Sequence, residues 1–345
     1  MIRALIKEIS MTDALAGFES NSIETIYFGG GTPSLLNKDE LQAIFAVLKE
    51  KFTLAENIEI TLEANPDDIT TVKLQEWFQL GINRLSVGIQ SFNEEELKWM
   101  NRSHTAAASL QCIDQIIEAG FTNFSADLIY GSPLLSDQKW KENVSIMINK
   151  NIPHISCYAL TVEPRTALYK MIGQKIKEPV DPDKQAAQFL LLMDWMRQAG
   201  YEHYEISNFA KKGMRSRHNS NYWSGTSYWG FGPSAHSFNG YKRSWNIAHN
   251  ALYIKKIEQD IIPAEEEILT PTQQLNEYIM TSLRTMEGLD LGKVSSKFGV
   301  SYSDQLLINS KKWEKGRKLK TSGNMIILTN EGKLFADGIA ADLFF

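Results

Sequence analysis

From residue 23 to about residue 199, short β-rich runs alternate with helix-like segments, and this alternation limits the fold more than any other feature of the sequence. The runs begin about 25 to 40 residues apart, which is the length of one strand together with one crossover helix. Such a pattern predicts a parallel sheet covered by helices. The predicted strands are residues 23–28, 58–62, 84–89, 123–130 and 154–160.

The segments between these runs have the composition of helices, and several end in glycine. Gly81, Gly120 and Gly200 each follow such a segment, where glycine readily adopts the left-handed backbone that closes many helices. The predicted helices are residues 38–51, 71–80, 106–119, 137–150 and 184–199. We therefore expect the strand and helix unit to repeat through this part of the chain.

After residue 200 the pattern changes twice. A stretch rich in Trp and Tyr runs to about residue 245 without a clear period, and we expect it to be irregular. Beyond about residue 271 the sequence predicts two helices, at residues 275–286 and 291–298, followed by a hairpin at residues 319–329. Two helices followed by a hairpin indicate a small winged-helix-like domain.

Composition excludes several classes of function. The 345 residues carry a formal net charge of −5, so no overall positive field attracts nucleic acid or an anionic membrane. The two cysteines, Cys112 and Cys157, cannot build a disulfide framework, and no apolar run reaches the roughly 18 residues of a spanning helix. We expect a protein of the reducing cytoplasm.

The chain opens with an amphipathic pattern, since Ile2, Leu5, Ile6 and Ile9 have helical spacing. No capping residue or turn precedes this pattern, and it lacks the features of a secretory signal. Two interpretations remain open from the residues alone. The pattern is either a helix that is entered partway along or an ordinary frayed terminal helix.

Polar residues follow the predicted strands, at the end where the active sites of barrels form. Each alone has an ordinary structural explanation, because a glycine-rich turn is often only a turn and a single acid is often a cap. Together they favour a site for a zwitterionic, ribose-bearing ligand, since carboxylates suit ribose hydroxyls, arginine suits a carboxylate and glycine backbone suits an ammonium group. In chain order they are Gly30, Gly31, Thr32, Glu63, Gln90, Arg102 and Asp127.

Five motifs, in order along the chain, resemble those of one known family. They are GGGTPSLL (29–36), TLEANP (61–66), RLSVGIQSFN (84–93), NRSH (101–104) and SADLIYGSP (125–133). Together they resemble the oxygen-independent coproporphyrinogen III oxidase-like branch of the radical S-adenosylmethionine (SAM) superfamily. The resemblance implies an α/β fold, a partial (β/α) TIM-type barrel that lacks its first strand. It also implies contacts to SAM from Gly30, Gly31, Thr32, Glu63, Gln90, Arg102, Asp127 and Thr161.

A further motif, HNSNYW at residues 218–223, resembles the HNxxYW signature of HemW-type heme chaperones and implies contact with heme. An imidazole can ligate heme iron, and the rings of this motif and of nearby Tyr228 and Trp229 can stack on a porphyrin. A lone histidine among aromatic residues is also common as a hydrogen-bonded structural residue, and the residues alone leave both interpretations open. The implied heme contacts are His218, Asn219, Tyr222 and Trp223.

Members of this superfamily hold a [4Fe–4S] cluster with a CxxxCxxC loop after the first strand, because thiolates bind and stabilise the iron. No such loop occurs in this sequence. Cys112 and Cys157 lie 45 positions apart, in a helix-like and a strand-like segment, and we expect both to be core thiols. The resemblance places the opening of the chain in the first barrel helix. We therefore expect an N-terminally truncated product or a misplaced start codon rather than a natural variant, and no reductive cleavage of SAM.

The leading hypothesis is a heme chaperone that binds heme and delivers it to acceptor proteins. The alternatives are a coproporphyrinogen III oxidase in a longer form and a SAM-binding module without radical chemistry, so whether the protein is an enzyme stays open. We expect a barrel at residues 1–200, an aromatic-rich extension at residues 201–265 and a winged-helix-like domain at residues 266–345. The expected cofactors and partners are SAM, heme, respiratory heme-accepting proteins, a second copy of the chain and peripheral contact with a membrane, without nucleic acid.

Overall fold

The computed structural model describes residues 1–12 and 22–345, and a curled sheet of seven strands lies at its centre. The strands are β1 (Ile23–Phe28), β2 (Leu54–Ala64), β3 (Arg84–Gln90), β4 (Phe124–Tyr130), β5 (His154–Ala159), β6 (Glu202–Glu205) and β7 (Asn208–Ala210). β1 to β5 are parallel, and the short antiparallel pair β6 and β7 continues the sheet beyond β5. The spatial order is therefore β1-β2-β3-β4-β5-β7-β6, a half-barrel that confirms the predicted fold class.

Alternation of residue type along the strands decides the two faces of this half-barrel. In β3, Leu85, Val87 and Ile89 are fully buried in the main hydrophobic core, whereas Arg84 and Ser86 line the concave side. The same alternation in β2 and β4 makes the outer face apolar and the inner face polar. The core therefore lies between the sheet and its helices, and the concave side is left as a polar cavity.

The helices of this region are α1 (Ile2–Met11), α2 (Lys38–Lys51), α3 (Thr71–Gln79), α4 (Glu94–Trp99), α5 (Ala106–Glu118), α6 (Asp137–Asn149), α7 (Ala167–Gly173) and α8 (Pro182–Gln198). The start of α2 shows why they form where they do. Asn37 accepts a hydrogen bond from the backbone of Glu40, and the carboxylate of Glu40 accepts one from the backbone of Asn37. Leu41 and Phe45 then bury the inner side of α2 in the main core.

Residues 201–268 form regular elements, so the expectation of an irregular stretch to about residue 245 was wrong. The HNSNYW motif lies on a helix, and an antiparallel sheet in the order β10-β9-β8 follows it. These strands are short and rich in polar residues, which leaves no period for sequence analysis to detect. The elements are α9 (Arg217–Ser224), β8 (His236–Phe238), β9 (Lys242–Asn246), α10 (Asn250–Glu258) and β10 (Ala264–Ile268).

A buried carboxylate attaches α1 to this second sheet. Glu8 is only 2% exposed, and it accepts hydrogen bonds from the backbone N–H of Gly232 (2.8 Å), the amide of Asn246 (2.5 Å) and the hydroxyl of Tyr253. Because each donor belongs to a different part of residues 232–253, one side chain ties the first helix to all of them.

The C-terminal part is a winged-helix-like domain with its own core, as predicted. Its small sheet has the order β11-β13-β12. The core of the domain completely buries Ile279, Val294, Leu306 and Ile326. Three helices of the domain, α13, α14 and α15, were not predicted from the sequence. The elements are α11 (Pro271–Leu283), β11 (Leu289–Asp290), α12 (Leu291–Phe298), α13 (Val300–Lys315), β12 (Leu319–Ser322), β13 (Met325–Leu328), α14 (Asn330–Lys333) and α15 (Ala336–Asp342). Across residues 1–12 and 22–345, no helix combines the length and the apolar character needed to cross a bilayer.

Candidate functional site

A polar cavity of about 190 Å³ opens at the carboxyl ends of β1 to β4. The ends of parallel strands meet at one edge of a sheet, which brings together residues that lie far apart in sequence. Five of the sequence-predicted ligand residues line this cavity: Gly31, Thr32, Glu63, Gln90 and Asp127. Gly30 joins them because its backbone N–H donates a 3.2 Å hydrogen bond to Glu63.

Glu63 lies at the centre of the cavity wall and is held by two donors. The hydroxyl of Tyr27 donates to Oε1 at 2.8 Å, and the backbone N–H of Gly30 donates to Oε2. Burial, together with the neighbouring Glu63 carboxylate, raises the pKa of the Tyr27 phenol well above its usual range, so this hydroxyl remains a donor. The carboxylate is thus fixed at the start of the glycine-rich turn.

Asp127 faces the same cavity from β4. Burial is the main cause that raises the pKa of this carboxyl to about 6, with a smaller contribution from the charge of Glu63, while a hydrogen bond from Ser156 opposes the rise. Its Oδ1 atom is buried and has no hydrogen-bond partner among the described residues. A buried acceptor of this kind is suited to a ligand that brings a donor.

Gln90 ends β3 with a backbone conformation that side chains rarely adopt. Its φ angle is +67°, and its amide folds back over Gly88, where an added Cβ would lie 2.8 Å from Nε2. Strained backbone of this kind is often found at ligand sites, because the surrounding fold must hold it. Gly88 therefore provides the space that lets Gln90 turn its side chain into the cavity.

Two further sequence-predicted residues lie outside the cavity lining. Arg102 is exposed in the loop after α4, yet its charge is near enough to oppose the rise in the pKa of Asp127. Thr161 is exposed after β5, and its hydroxyl donates to the carbonyl of Ala159 at 3.4 Å. The structure thus places Arg102 beside the cavity and Thr161 farther along the same edge of the sheet.

A second polar cavity of about 80 Å³ continues deeper into the half-barrel. It shares Glu63, Ser86 and Asp127 with the first cavity, and Asn219 of α9 forms part of its wall. Several polar residues that line it were not predicted from the sequence, because they lie within the strands rather than at their carboxyl ends. The available signal was a polar residue at every second strand position. The missed residues are Tyr27, Thr61, Arg84, Ser86, Ser125, Ser156 and Tyr158.

His218 is packed against β1 rather than projecting freely. Its Nδ1 lies 2.9 Å from the hydroxyl of Thr25, and its ring stacks on Tyr27 with centroids 4.8 Å apart. The backbone N–H groups of Arg217 and His218 both donate to the buried carboxylate of Glu59, which suits the positive end of a helix. Burial lowers the pKa of the His218 imidazole, so the neutral ring is favoured near pH 7.

The other two motif residues lie at the far end of α9. Tyr222 is 51% exposed and meets Trp223 edge-on with ring centroids 5.3 Å apart, and its ring also lies 5.8 Å from that of Tyr228. Trp229 packs instead against Phe52, the residue that follows α2, with centroids 5.2 Å apart. The expected aromatic cluster therefore consists of Tyr222, Trp223 and Tyr228.

The cysteines of this chain do not fit an iron–sulfur cluster. Cys112 on α5 and Cys157 on β5 are both 1% exposed within the outer core, on the opposite side of the sheet from the cavity. Burial raises the pKa of Cys112 to about 12 and raises that of Cys157 well above its usual range, so both favour the thiol over the thiolate that iron needs. Among the described residues no group of three metal-ligating side chains occurs.

Comparison with known proteins gives consistent matches over almost the whole chain. The model of the radical SAM superfamily matches residues 6–146, and that of the HemN C-terminal domain matches residues 269–335. The chain is 31% identical over 341 residues to the heme chaperone HemW of Bacillus subtilis, covering 98% of this chain and 89% of that protein. It is 32% identical over 310 residues to HemW of Lactococcus lactis, covering 88% and 81%.

Among solved structures, coproporphyrinogen III oxidase (HemN) from Escherichia coli matches with a TM-score of 0.84. The match covers 99% of this chain and 82% of that chain, at 21% sequence identity. At this level of identity the likeness establishes a common fold, including the half-barrel and the C-terminal domain.

Proposed function

Because this chain belongs to the HemW family of radical SAM proteins, we propose that it is a heme chaperone, which binds heme and delivers it to heme-accepting proteins. Heme is the cargo in this proposal. The chain's own part is to hold the macrocycle, to ligate its iron and to release it to an acceptor.

The state of His218 is the observation that carries the proposal. Nδ1 of the neutral imidazole is engaged with the hydroxyl of Thr25, and in the tautomer in which Nδ1–H donates to that hydroxyl the lone pair lies on Nε2, where it can bind a metal. Within residues 1–12 and 22–345, no side chain or backbone group is hydrogen-bonded to Nε2 of His218. The contacts to Thr25 and Tyr27 then orient the ring, as partners behind a metal ligand commonly do.

The polar cavity supports a second part of the proposal, the binding of SAM. Glu63 and Asp127 offer carboxylates to ribose hydroxyls or to an ammonium group, and the glycine-rich turn offers backbone groups. The unpaired Oδ1 of Asp127 is consistent with a ligand that donates to it. The residues proposed to hold SAM are Gly30, Gly31, Thr32, Glu63, Gln90, Arg102, Asp127 and Thr161.

Bound SAM supplies an adenosyl group and a sulfonium cation, and its reductive cleavage requires an iron–sulfur cluster. Since Cys112 and Cys157 do not fit such a cluster, we derive no radical step for this chain. The same argument disfavours oxidation of coproporphyrinogen III by this chain. The likeness to that oxidase supports the shared fold and not a shared activity.

Heme titration tests the proposal. We expect ferric heme to bind the wild type with a defined Soret band, and His218→Ala to shift that band and to weaken binding by at least about tenfold, because even the partners behind a metal ligand contribute about 10- to 100-fold to metal affinity. His249→Asn is the matched control, because His249 is exposed and caps α10 with its side chain, a role that Asn also performs. An unchanged spectrum and affinity in His218→Ala would refute the role of this histidine.

Delivery needs a separate measurement. We expect heme-loaded protein to transfer heme to apo-myoglobin, used as a generic acceptor, in a reaction that saturates with the concentration of the loaded protein. Transfer no faster than simple dissociation of heme into buffer would indicate storage rather than delivery.

A further inference from the structure

Arg284 lies where the C-terminal domain meets the motif helix α9, and part of its guanidinium has no partner. The cation lies over the ring of Trp223, 5.1 Å from its centroid. Nη1 donates to Asp337 at 2.7 Å, whereas Nε is buried and has no hydrogen-bond partner among the described residues. None of the described residues bonds to Nη2 either. Nη2 is therefore a donor without an acceptor among these residues, and it lies beside Nη1, whose acceptor is an exposed carboxylate.

The same guanidinium borders the half-exposed aromatic surface formed by Tyr222, Trp223 and Tyr228, which we call the aromatic platform. Tyr222 lies between the other two rings, 5.3 Å from Trp223 and 5.8 Å from Tyr228. Tyr222 stands edge-on to Trp223, at 84°, and is inclined by 42° to Tyr228, so a planar ligand can stack on the exposed ring of Tyr222 but not on all three rings at once. An arginine at the rim of such a surface suits a planar ligand that also carries a carboxylate, because the guanidinium both stacks on rings and binds carboxylates through two parallel bonds.

The acidic neighbours of Arg284 leave it able to accept another carboxylate. The side chain of Asp337 is 81% exposed, whereas that of Arg284 is 22% exposed, so the carboxylate of this pair lies in water, where another carboxylate can replace it. Glu205 is buried near Arg284, and Oε1 of its carboxylate accepts from the backbone of Ser207 and the amide of Asn208, while Glu205 forms no direct hydrogen bond or ion pair with Arg284 among the described residues. Replacing the Asp337 carboxylate on Arg284 by that of a ligand therefore costs little free energy, and Glu205 keeps its own hydrogen-bond partners.

We propose that Arg284 receives a propionate carboxylate of heme, with the macrocycle lying against the exposed ring of Tyr222 in the aromatic platform. This inference rests on the proposed heme-binding function and assigns a residue of the C-terminal domain to that site. The carboxylate takes the place of Asp337 at Nη1 and also accepts from Nη2, so that it binds the two terminal donors of the guanidinium. Heme bound in this way touches α9 and also Arg284, the residue that follows α11. The winged-helix-like domain therefore contributes directly to cargo recognition.

Titration with two forms of the same macrocycle tests the inference. Hemin carries two free propionates, whereas hemin dimethyl ester has both carboxylates masked. We expect the wild type to bind hemin about tenfold more tightly than the ester, since a hydrogen bond to a charged group is worth roughly that factor or more. Arg284→Gln should bind hemin about tenfold more weakly than the wild type and should bind the ester as the wild type does.

Two other variants separate a charge effect from a structural one. Asp337→Asn leaves Arg284 in place and removes its exposed competitor, so we expect equal or tighter binding of hemin and no change for the ester. Arg197→Gln is the matched control, because Arg197 is 71% exposed and pairs with Asp194 on α8. We expect it to bind both ligands as the wild type does.

Three results would overturn the inference. They are equal affinity of the wild type for hemin and the ester, equal weakening of both ligands by Arg284→Gln, and weaker hemin binding in Asp337→Asn. In each of these cases heme binding itself is intact, and only the assignment of Arg284 fails. Absence of binding for both ligands in the wild type would instead refute the proposed function on which the inference rests.

Discussion

The ring of His218 stacks on the ring of Tyr27, with centroids 4.8 Å apart and planes inclined by 25°. The hydroxyl of the same Tyr27 donates to Glu63, whose other oxygen holds the backbone of Gly30. One tyrosine thus contacts a residue proposed to bind heme and a residue proposed to bind SAM. The two proposed sites are therefore neighbours that share a contact with Tyr27 of β1.

The phenol of Tyr27 offers a direct test of this arrangement. Tyr27→Phe keeps the stack on His218 and removes one of the two donors to Glu63, so we expect the free energy of unfolding to fall by about 1 to 2 kcal/mol, measured by urea denaturation. Tyr169→Phe is the control, because Tyr169 is 53% exposed on α7. Equal stability of Tyr27→Phe and the control would show that the bond to Glu63 contributes nothing.

The raised pKa of Asp127 predicts that the stability of the protein depends on pH. Its pKa rises from an ordinary value of 3.8 to about 6 in the folded protein, mainly through burial. Between these values the unfolded chain loses its proton first, so ionisation favours unfolding. Relative to Asp127→Asn, the wild type should therefore lose up to about 3 kcal/mol of unfolding free energy as pH rises from about 4 to about 6, and little more above that.

Urea denaturation of the wild type and of Asp127→Asn at several pH values measures this difference. The other titratable groups are the same in both proteins, so most of their contributions to the pH dependence cancel. Asp304→Asn on the exposed side of α13 is the control, and its difference from the wild type should not vary over the same range. A wild type that gains stability relative to Asp127→Asn as pH rises would contradict the raised pKa.

The regular part of the fold was predictable because its signals are local. α2 was predicted to the residue, at Lys38–Lys51, since Asn37 and Glu40 form a capping box and apolar residues recur with helical spacing. β2 begins at Leu54 rather than at residue 58, because its first residues are held by pairing with Ile23 across an irregular register. Pairing between distant strands leaves no mark in a local pattern.

The residues of the candidate site that lie at strand ends were predictable, whereas those deeper in the half-barrel were not. Glu63, Gln90 and Asp127 were expected to meet because the ends of parallel strands share one edge. The orientation of α9 was not predictable, since it depends on the contact of His218 with Thr25, 193 positions earlier, and on that of Trp223 with Arg284. Such long-range contacts are properties of the folded chain only.

Glu8 should be among the most sensitive residues for stability. Glu8→Ala leaves the donors on Gly232, Asn246 and Tyr253 buried without their acceptor, so we expect a loss of about 3 kcal/mol in unfolding free energy. Glu50→Ala, at an exposed position of α2, should change stability by less than about 0.5 kcal/mol. Similar unfolding midpoints in urea for both variants would show that α1 is not attached through Glu8.

The glycine-rich turn contains two glycines that should differ in how well they tolerate an added side chain. A Cβ added at Gly29 would lie 2.6 Å from the ring of Tyr27 and 2.8 Å from Oε1 of Glu63, whereas one added at Gly31 would meet nothing within 4 Å. Gly29→Ala should therefore displace both side chains and cost about 1 to 3 kcal/mol of unfolding free energy, as overpacking does. Gly31→Ala should cost less than about 0.5 kcal/mol. If urea denaturation finds both variants equally stable, Glu63 is not held against the turn as described.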